Sequence, residues 1–229
     1  MNKPELNLPM RLFQVFTKSL LIMLASFGAQ TALAQESAPA PLAPAAVDPN
    51  AADPENTLHL DLSTGGRVTI RLYNNIAPAH AERIKTLARR GFYDGIIFHR
   101  VIDGFMAQTG DPTGTGTGES DLPNLKPEFN PTPHLRGTVS MARATAEDSA
   151  NSQFFICFQP RFSLDNTYTV FGRVIGGMQY VDAIQRGEPP ANPDRILQAS
   201  VAADNKAAPI FVPKAASAEP QITVDQLDK

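Results

Sequence analysis

Cysteine is nearly absent. Cys157 is the only one in 229 residues, so no internal disulfide can form and no thiolate metal cluster can be assembled. It sits in the apolar run FFICF (154–158), where a buried, inert thiol is expected rather than a nucleophile. Tryptophan is missing altogether. An excess of one charge sign is missing too: 20 Lys and Arg stand against 23 Asp and Glu, a formal net charge of -3 with both signs interspersed. Such a chain has neither the basic field that nucleic acid needs nor the cationic amphipathic face that lipid needs, and neither partner is expected. There is no Gly-x-Ser-x-Gly elbow, and His59, His80, His99 and His134 are scattered without metal-ligand spacing. Neither a hydrolase nor a metalloenzyme is indicated, and no metal or cofactor is expected.

No apolar run reaches the roughly 20 residues of a membrane-spanning helix. Lys3, Arg11 and Lys18 instead flank a short apolar run at 20–29, followed by the small-x-small site Ala32-Leu33-Ala34. That order is the signature of a secretory signal peptide. Residues 1–34 are therefore expected to be removed, with Gln35 starting an exported, periplasmic chain that keeps no membrane attachment. Residues 35–56 are mostly Ala, Pro and Asp and bury too little to offset ordering entropy, so a disordered linker is expected there. A flexible tail is expected over 203–229, with local docking by Ile210, Phe211, Val212, Ile222, Val224 or Leu227 left open. Residues 57–202 remain as one domain with one core, expected to be monomeric.

Within that domain, 58–62 and 67–73 alternate apolar and polar residues around a Ser63-Thr64-Gly65-Gly66 turn, the pattern of a hairpin. Pro78 opens an amphipathic helix in which Ala77, Ala81, Ile84 and Ala88 recur at helical spacing, and Gly91 follows as a stop. Further strands are expected at 96–102, 105–109, 138–142, 153–158, 168–175 and 196–201, and a second helix at 178–185. Many short strands with two helices argue for a closed antiparallel β-barrel, which leaves no exposed edge.

The Gly-rich stretch DPTGTGTGES (111–120) lacks the Gly-Lys-Ser/Thr ending of a phosphate loop and leads into no helix. A flexible surface loop beside a groove is expected instead. Alternation in FHRVIDGFMAQTGD (98–111) puts Phe98, Arg100 and Ile102 on one face and Met106 with Gln108 on one face of the next strand. The same rule pairs Gln153 with Phe155. Arg100, Met106, Gln108, Gln153 and Phe155 could thus share a surface with no carboxylate. A core stripe with Arg100 snorkelling at its edge fits the pattern equally well, and pattern alone does not decide.

FHRVIDGFMAQTGDPTGTGTG, GTVSMA (137–142), SQFFIC (152–157) and LDNTYTVFGRV (164–174) resemble the successive signature blocks of the cyclophilin family, in family order. The resemblance covers about residues 57–201. It implies a closed eight-stranded antiparallel β-barrel capped by two helices, and peptidyl-prolyl cis-trans isomerase activity on Pro-containing segments of exported proteins. By that resemblance Arg100 stands at the catalytic arginine, and Phe105, Met106, Phe155 and Leu164 at the proline pocket. Gln108, Gln153 and the backbone of Ala142 and Arg143 match groups that hold the substrate chain. Phe105 is placed by resemblance alone, since strict alternation turns it away. The sequence departs from the family at three points: Ser163 replaces a frequent tryptophan, Tyr168 a frequent histidine and Arg143 a frequent asparagine, with Phe162 a possible filler beside Ser163. These changes and the long tails motivate the alternative of a non-catalytic module that only holds Pro-containing segments; the presence of Arg100 argues for the enzyme.

Overall fold

A computed structural model describes residues 53–211. The expected signal peptide, the expected linker as far as residue 52 and the expected tail beyond residue 211 lie outside the described residues. Regular structure begins inside the stretch expected to be linker. Asp53 accepts a hydrogen bond from the Glu55 amide and caps a 3-10 turn, Pro54–Asn56, with Pro at its start. A second 3-10 turn, Ala202–Asp204, follows the last strand. Arg89 clasps both, pairing with Glu55 at 2.8 Å and Asp204 at 3.0 Å.

The expected hairpin forms from β1 (Thr57–Leu62) and β2 (Gly66–Leu72), in register from Thr57 opposite Arg71 to Leu62 opposite Gly66. Along β2, Val68, Ile70 and Leu72 turn inward while Arg67, Thr69 and Arg71 are less buried, as the alternation requires. Helix α1 (Pro78–Arg89) buries Ala81, Ile84, Leu87 and Ala88. Its N-cap, Ala77, offers no side chain, and the carboxylate of Glu128 takes over by accepting from the amides of Ala79 and His80 at 3.1 and 3.0 Å. Negative charge at that end also suits the helix dipole.

The remaining strands are β3 (Arg100–Ile102), β4 (Met106–Thr109), β5 (Thr138–Met141), β6 (Phe154–Cys157), β7 (Val170–Gly176) and β8 (Ile196–Val201). All eight join in one antiparallel sheet ordered β3-β4-β6-β5-β7-β2-β1-β8. The end strands β3 and β8 share no ladder. A bridge between Ile97 and Arg195 spans them, with hydrogen bonds from the Phe98 amide to the Asp194 carbonyl at 2.8 Å and from the Ile196 amide to the Ile96 carbonyl at 2.9 Å. Helix α2 (Met178–Asp182) is shorter than the expected 178–185.

The strand expected over 96–102 is regular only from Arg100. Because the backbone before it is drawn to Asp194, alternation does not extend back to Phe98. Phe98 accordingly lies fully buried in the main core, not beside Arg100 on the groove face. That core is filled by Leu60, Ile84, Tyr93, Phe154 and Phe171, with Tyr93 and Phe171 both edge-on to Phe154. Met106, Phe155 and Cys157 form a separate buried cluster, against which Ile102, Phe105, Ala142, Leu164 and Tyr168 pack. No helix among the described residues is long and apolar enough to cross a membrane.

Candidate active site

The second cluster is the floor of a groove of about 760 Å³. Phe105, Met106, Phe155, Leu164 and Tyr168 supply its apolar lining, and Arg100, Gln108, Ala142 and Arg143 its polar rim. Nine of the ten site residues expected from sequence therefore line one groove. The tenth, Gln153, lies immediately beside it and is bonded to Gln108.

Strand register explains the polar row. Arg100 on β3 is opposite Gln108 on β4, and Gln108 is opposite Phe155 on β6. The Arg100 Nη1 donates to Gln108 Oε1 at 3.5 Å, Gln108 Nε2 donates to Gln153 Oε1 at 2.9 Å, and Gln153 Nε2 donates to the carbonyls of Gly116 and Gly118 at 3.1 and 2.9 Å. The guanidinium is thus the end of a directed chain of donors, each oriented by the next. Its other edge is held by Glu188, whose Oε2 accepts from Arg100 Nε at 2.7 Å.

The Gly-rich loop is bonded rather than loose. Asp111 accepts at Oδ1 from the Thr113 amide and hydroxyl, both at 2.7 Å, and at Oδ2 from the Gly116 amide at 2.5 Å. Burial alone would raise this carboxyl, but hydrogen bonds from Thr113, Gly118 and Gly116 together outweigh it and bring its pKa to about 2. The expectation of a flexible loop overlooked this one buried acceptor. Gly114, Thr115 and Gly116 form part of the groove wall.

Phe105 reaches the floor because it belongs to a turn, not a strand. The pairing of Ile102 with Met106 leaves residues 103–105 to make the reversal, with Gly104 at φ +62°, and the alternation of β4 begins only at Met106. The floor is stiffened by aromatic contacts: Phe155 stacks on His134 at 6.1 Å between centroids and meets Tyr168 edge-on at 5.8 Å. His134 is itself fixed between Asp165 at 2.8 Å and Ser140 at 3.1 Å. Cys157 lies buried in the floor, its thiol pushed up to about 12 by burial, as an inert thiol should be.

Phe162 does not fill the space beside Ser163. It is 65% exposed and points away, in the 3-10 turn Phe162–Leu164. Sequence reasoning also missed Glu188, Pro189 and His99, all part of the groove lining. His99 is buried with neither ring nitrogen hydrogen-bonded; burial lowers its pKa, Asp111 works against that and Arg100 adds to it. Local patterning carries no signal for Glu188, which arrives from 88 positions away. Among the described residues no His, Cys, Asp or Glu cluster could hold a metal.

A family model described as cyclophilin type peptidyl-prolyl cis-trans isomerase/CLD matches residues 59–201. The chain is 46% identical over 169 residues to a protein of Brucella suis named probable peptidyl-prolyl cis-trans isomerase, covering 67% of this chain and 86% of that one. A crystal structure of a cyclophilin from Hirschia baltica superposes with a TM-score of 0.62 at 30% identity, over 69% of this chain and 77% of that one. A Cryptosporidium parvum cyclophilin, crystallised in the presence of the dipeptide Ala-Pro, superposes with a TM-score of 0.60 at 27% identity, over 63% of this chain and 98% of that one. Arrangement of the groove, family match and similar structures converge: the chain belongs to the cyclophilin-type peptidyl-prolyl cis-trans isomerase family.

Proposed function

We propose that the protein is a peptidyl-prolyl cis-trans isomerase that accelerates Xaa-Pro rotation in exported proteins and so assists their folding, with Arg100 as the catalytic residue and no covalent intermediate. The observation that carries this reading is the placement of an oriented guanidinium at the rim of an apolar floor, with Glu188 on its Nε and Gln108 on its Nη1. Rotation of a peptide bond breaks amide resonance against a barrier of about 18–20 kcal/mol, and unaided it takes tens to hundreds of seconds. Nothing is cleaved, so no acid, base or nucleophile is needed.

In the twisted transition state the prolyl nitrogen becomes pyramidal and regains its lone pair. A permanently charged, multi-donor guanidinium stabilises that acceptor more than it stabilises the planar ground state, and such a difference lowers a barrier. Phe105, Met106, Phe155 and Leu164 would grip the prolyl ring and keep water from the Arg100 donors, while Gln108, Gln153 and the backbone at Ala142 and Arg143 would hold the chain on either side. The crystallisation of the Cryptosporidium cyclophilin in the presence of Ala-Pro supports a proline-containing substrate.

The bridge and hydrogen bonds between 96–98 and 194–196 support a sheet that closes on itself as a barrel, without a continuous ladder. Export to the periplasm is supported by the N-terminal pattern of residues 1–34, and fractionation of the source cell tests it. The activity itself is tested by proton NMR exchange spectroscopy on an Ala-Pro peptide. Catalytic amounts of the protein should speed cis-trans exchange; binding shifts without faster exchange would favour a module that only holds Pro-containing segments.

A further inference from the structure

Two guanidiniums without an ion-pair partner among the described residues lie over aromatic rings of the groove, Arg143 within its lining and Arg161 just outside it. Arg143 lies over the ring of Tyr168, 4.9 Å from its centroid, and Arg161 over the ring of Phe105, at 4.7 Å. Both rings line the groove. Arg143 donates only to carbonyls, those of Thr167, Ala144 and Thr145, which fix its position without cancelling its charge. Asp165, four residues from Arg161, is engaged by the amide and Nδ1 of His134, both at 2.8 Å. Glu188 is the only acid in the groove lining, and it is paired with Arg100.

Several arginines elsewhere in this chain, of formal net charge -3, are matched by acids. Arg67, Arg89, Arg136 and Arg186 each have a carboxylate within 3.1 Å. Arg143 and Arg161, by contrast, each lie over an aromatic ring of the same groove. Stacking on an aromatic face holds the guanidinium plane while leaving its charge to act on what enters beside it. A substrate threaded over the prolyl floor would pass Arg143 and the Phe105 ring on which Arg161 lies.

We propose that Arg143 and Arg161 are specificity-determining residues that select Pro-containing segments carrying an aspartate or glutamate within a few residues of the proline. The proposal rests on the isomerase reading and names the substrate class of that same groove. A carboxylate on the substrate would supply the counter-ion that the fold withholds. Because Arg161 is exposed and Arg143 only half-buried, each contributes only about a 2- to 5-fold preference, the range of an exposed ion pair.

The test uses three peptides that share an Ala-Pro centre and differ in one residue type on each side of it: Glu, Ala or Lys. Exchange spectroscopy gives kcat/KM for each, and chemical-shift titration gives its affinity. At about 20 mM salt the Glu peptide should be processed about 4- to 10-fold better than the Lys peptide, and at about 0.5 M salt the ratio should fall toward one. Arg143→Gln and Arg161→Gln should each cut the ratio about 2- to 3-fold, and the double variant should abolish it. Taking the ratio removes any change in basal rate. A ratio near one in the unaltered protein, or one that survives in the double variant, overturns the proposal. If the Ala peptide is not accelerated while the affinity ratio behaves as stated, the isomerase reading fails and the charge selection stands. If the Ala peptide is accelerated with no charge ratio, the reverse holds.

Discussion

The side-chain amide of Gln108 donates to the side-chain carbonyl of Gln153 across 2.9 Å, and this contact couples the guanidinium of Arg100 to the Gly-rich loop. Gln108 can present its oxygen to Arg100 only while its nitrogen is engaged by Gln153, and Gln153 accepts at Oε1 because its own amide is taken by Gly116 and Gly118. The amide orientations are fixed in series.

Cutting this series should cost activity without cost to the fold. Gln153→Ala is expected to lower kcat/KM by about 10-fold, the worth of one net hydrogen bond, with an unchanged circular dichroism spectrum. Exchange spectroscopy on an Ala-Pro peptide provides the measurement. An unaltered rate would mean that Gln108 holds its orientation unaided.

Glu188 should separate orientation from charge. The Arg100 and Glu188 side chains are 42% and 52% exposed, so the pair adds little to stability, under about 1 kcal/mol. Glu188→Gln keeps a neutral acceptor on Nε and releases the full cationic charge, and kcat/KM should rise about 2- to 3-fold, within the range of an exposed pair. Glu188→Ala removes the acceptor as well, and activity should fall below that of the Gln variant. Equal rates for the two variants would show that Nε needs no partner.

Acid should act first on histidines that are wholly or partly buried. Burial pushes His59, His80 and His99 below their ordinary value; for His80 the Glu128 carboxylate opposes burial without overcoming it. The unfolded chain takes up their protons near pH 6.5 and the folded one only lower, so this stability is present above about pH 6.5 and lost as pH falls through the folded values. Tm should therefore be lower at about pH 5 than at about pH 7.5, and less so in His80→Gln. A Tm that is flat across this range would contradict the assignment.

Asp111 sets a second, more acidic step. With its pKa held at about 2, protonation should release the Thr113 and Gly116 amides, whose NMR shifts should titrate together near that pH in any population still folded. Asp111→Asn should loosen the same amides at neutral pH and weaken the Gln153 anchor. Titration of these amides with an ordinary carboxylate midpoint would show that the loop's hydrogen bonds do not hold the Asp111 carboxyl low.

The hairpin and the first helix were legible in the sequence because alternation and helical spacing act over neighbouring residues, whereas alternation left the row of Arg100, Gln108 and Phe155 as one of two readings and only the family resemblance chose it. Phe105 was not, since a three-residue turn interrupts the alternation just before β4. Phe98 was misplaced for a similar reason: its amide is claimed by Asp194, and the strand starts at Arg100, four residues later than the pattern suggests. Glu188 and His99 carry no local periodic signal of their role, and only the folded chain brings Glu188 to Arg100. Ser163 left open whether Phe162 turns inward, a matter of side-chain packing that composition does not encode.

The central claim is that Arg100 lowers the rotational barrier. The most direct test is exchange spectroscopy of an Ala-Pro peptide with the unaltered protein and with Arg100→Ala, each verified as folded. Loss of one oriented transition-state donor predicts a fall in kcat/KM on the order of 10² to 10³ with the groove intact. An unchanged rate in the folded variant would contradict the account.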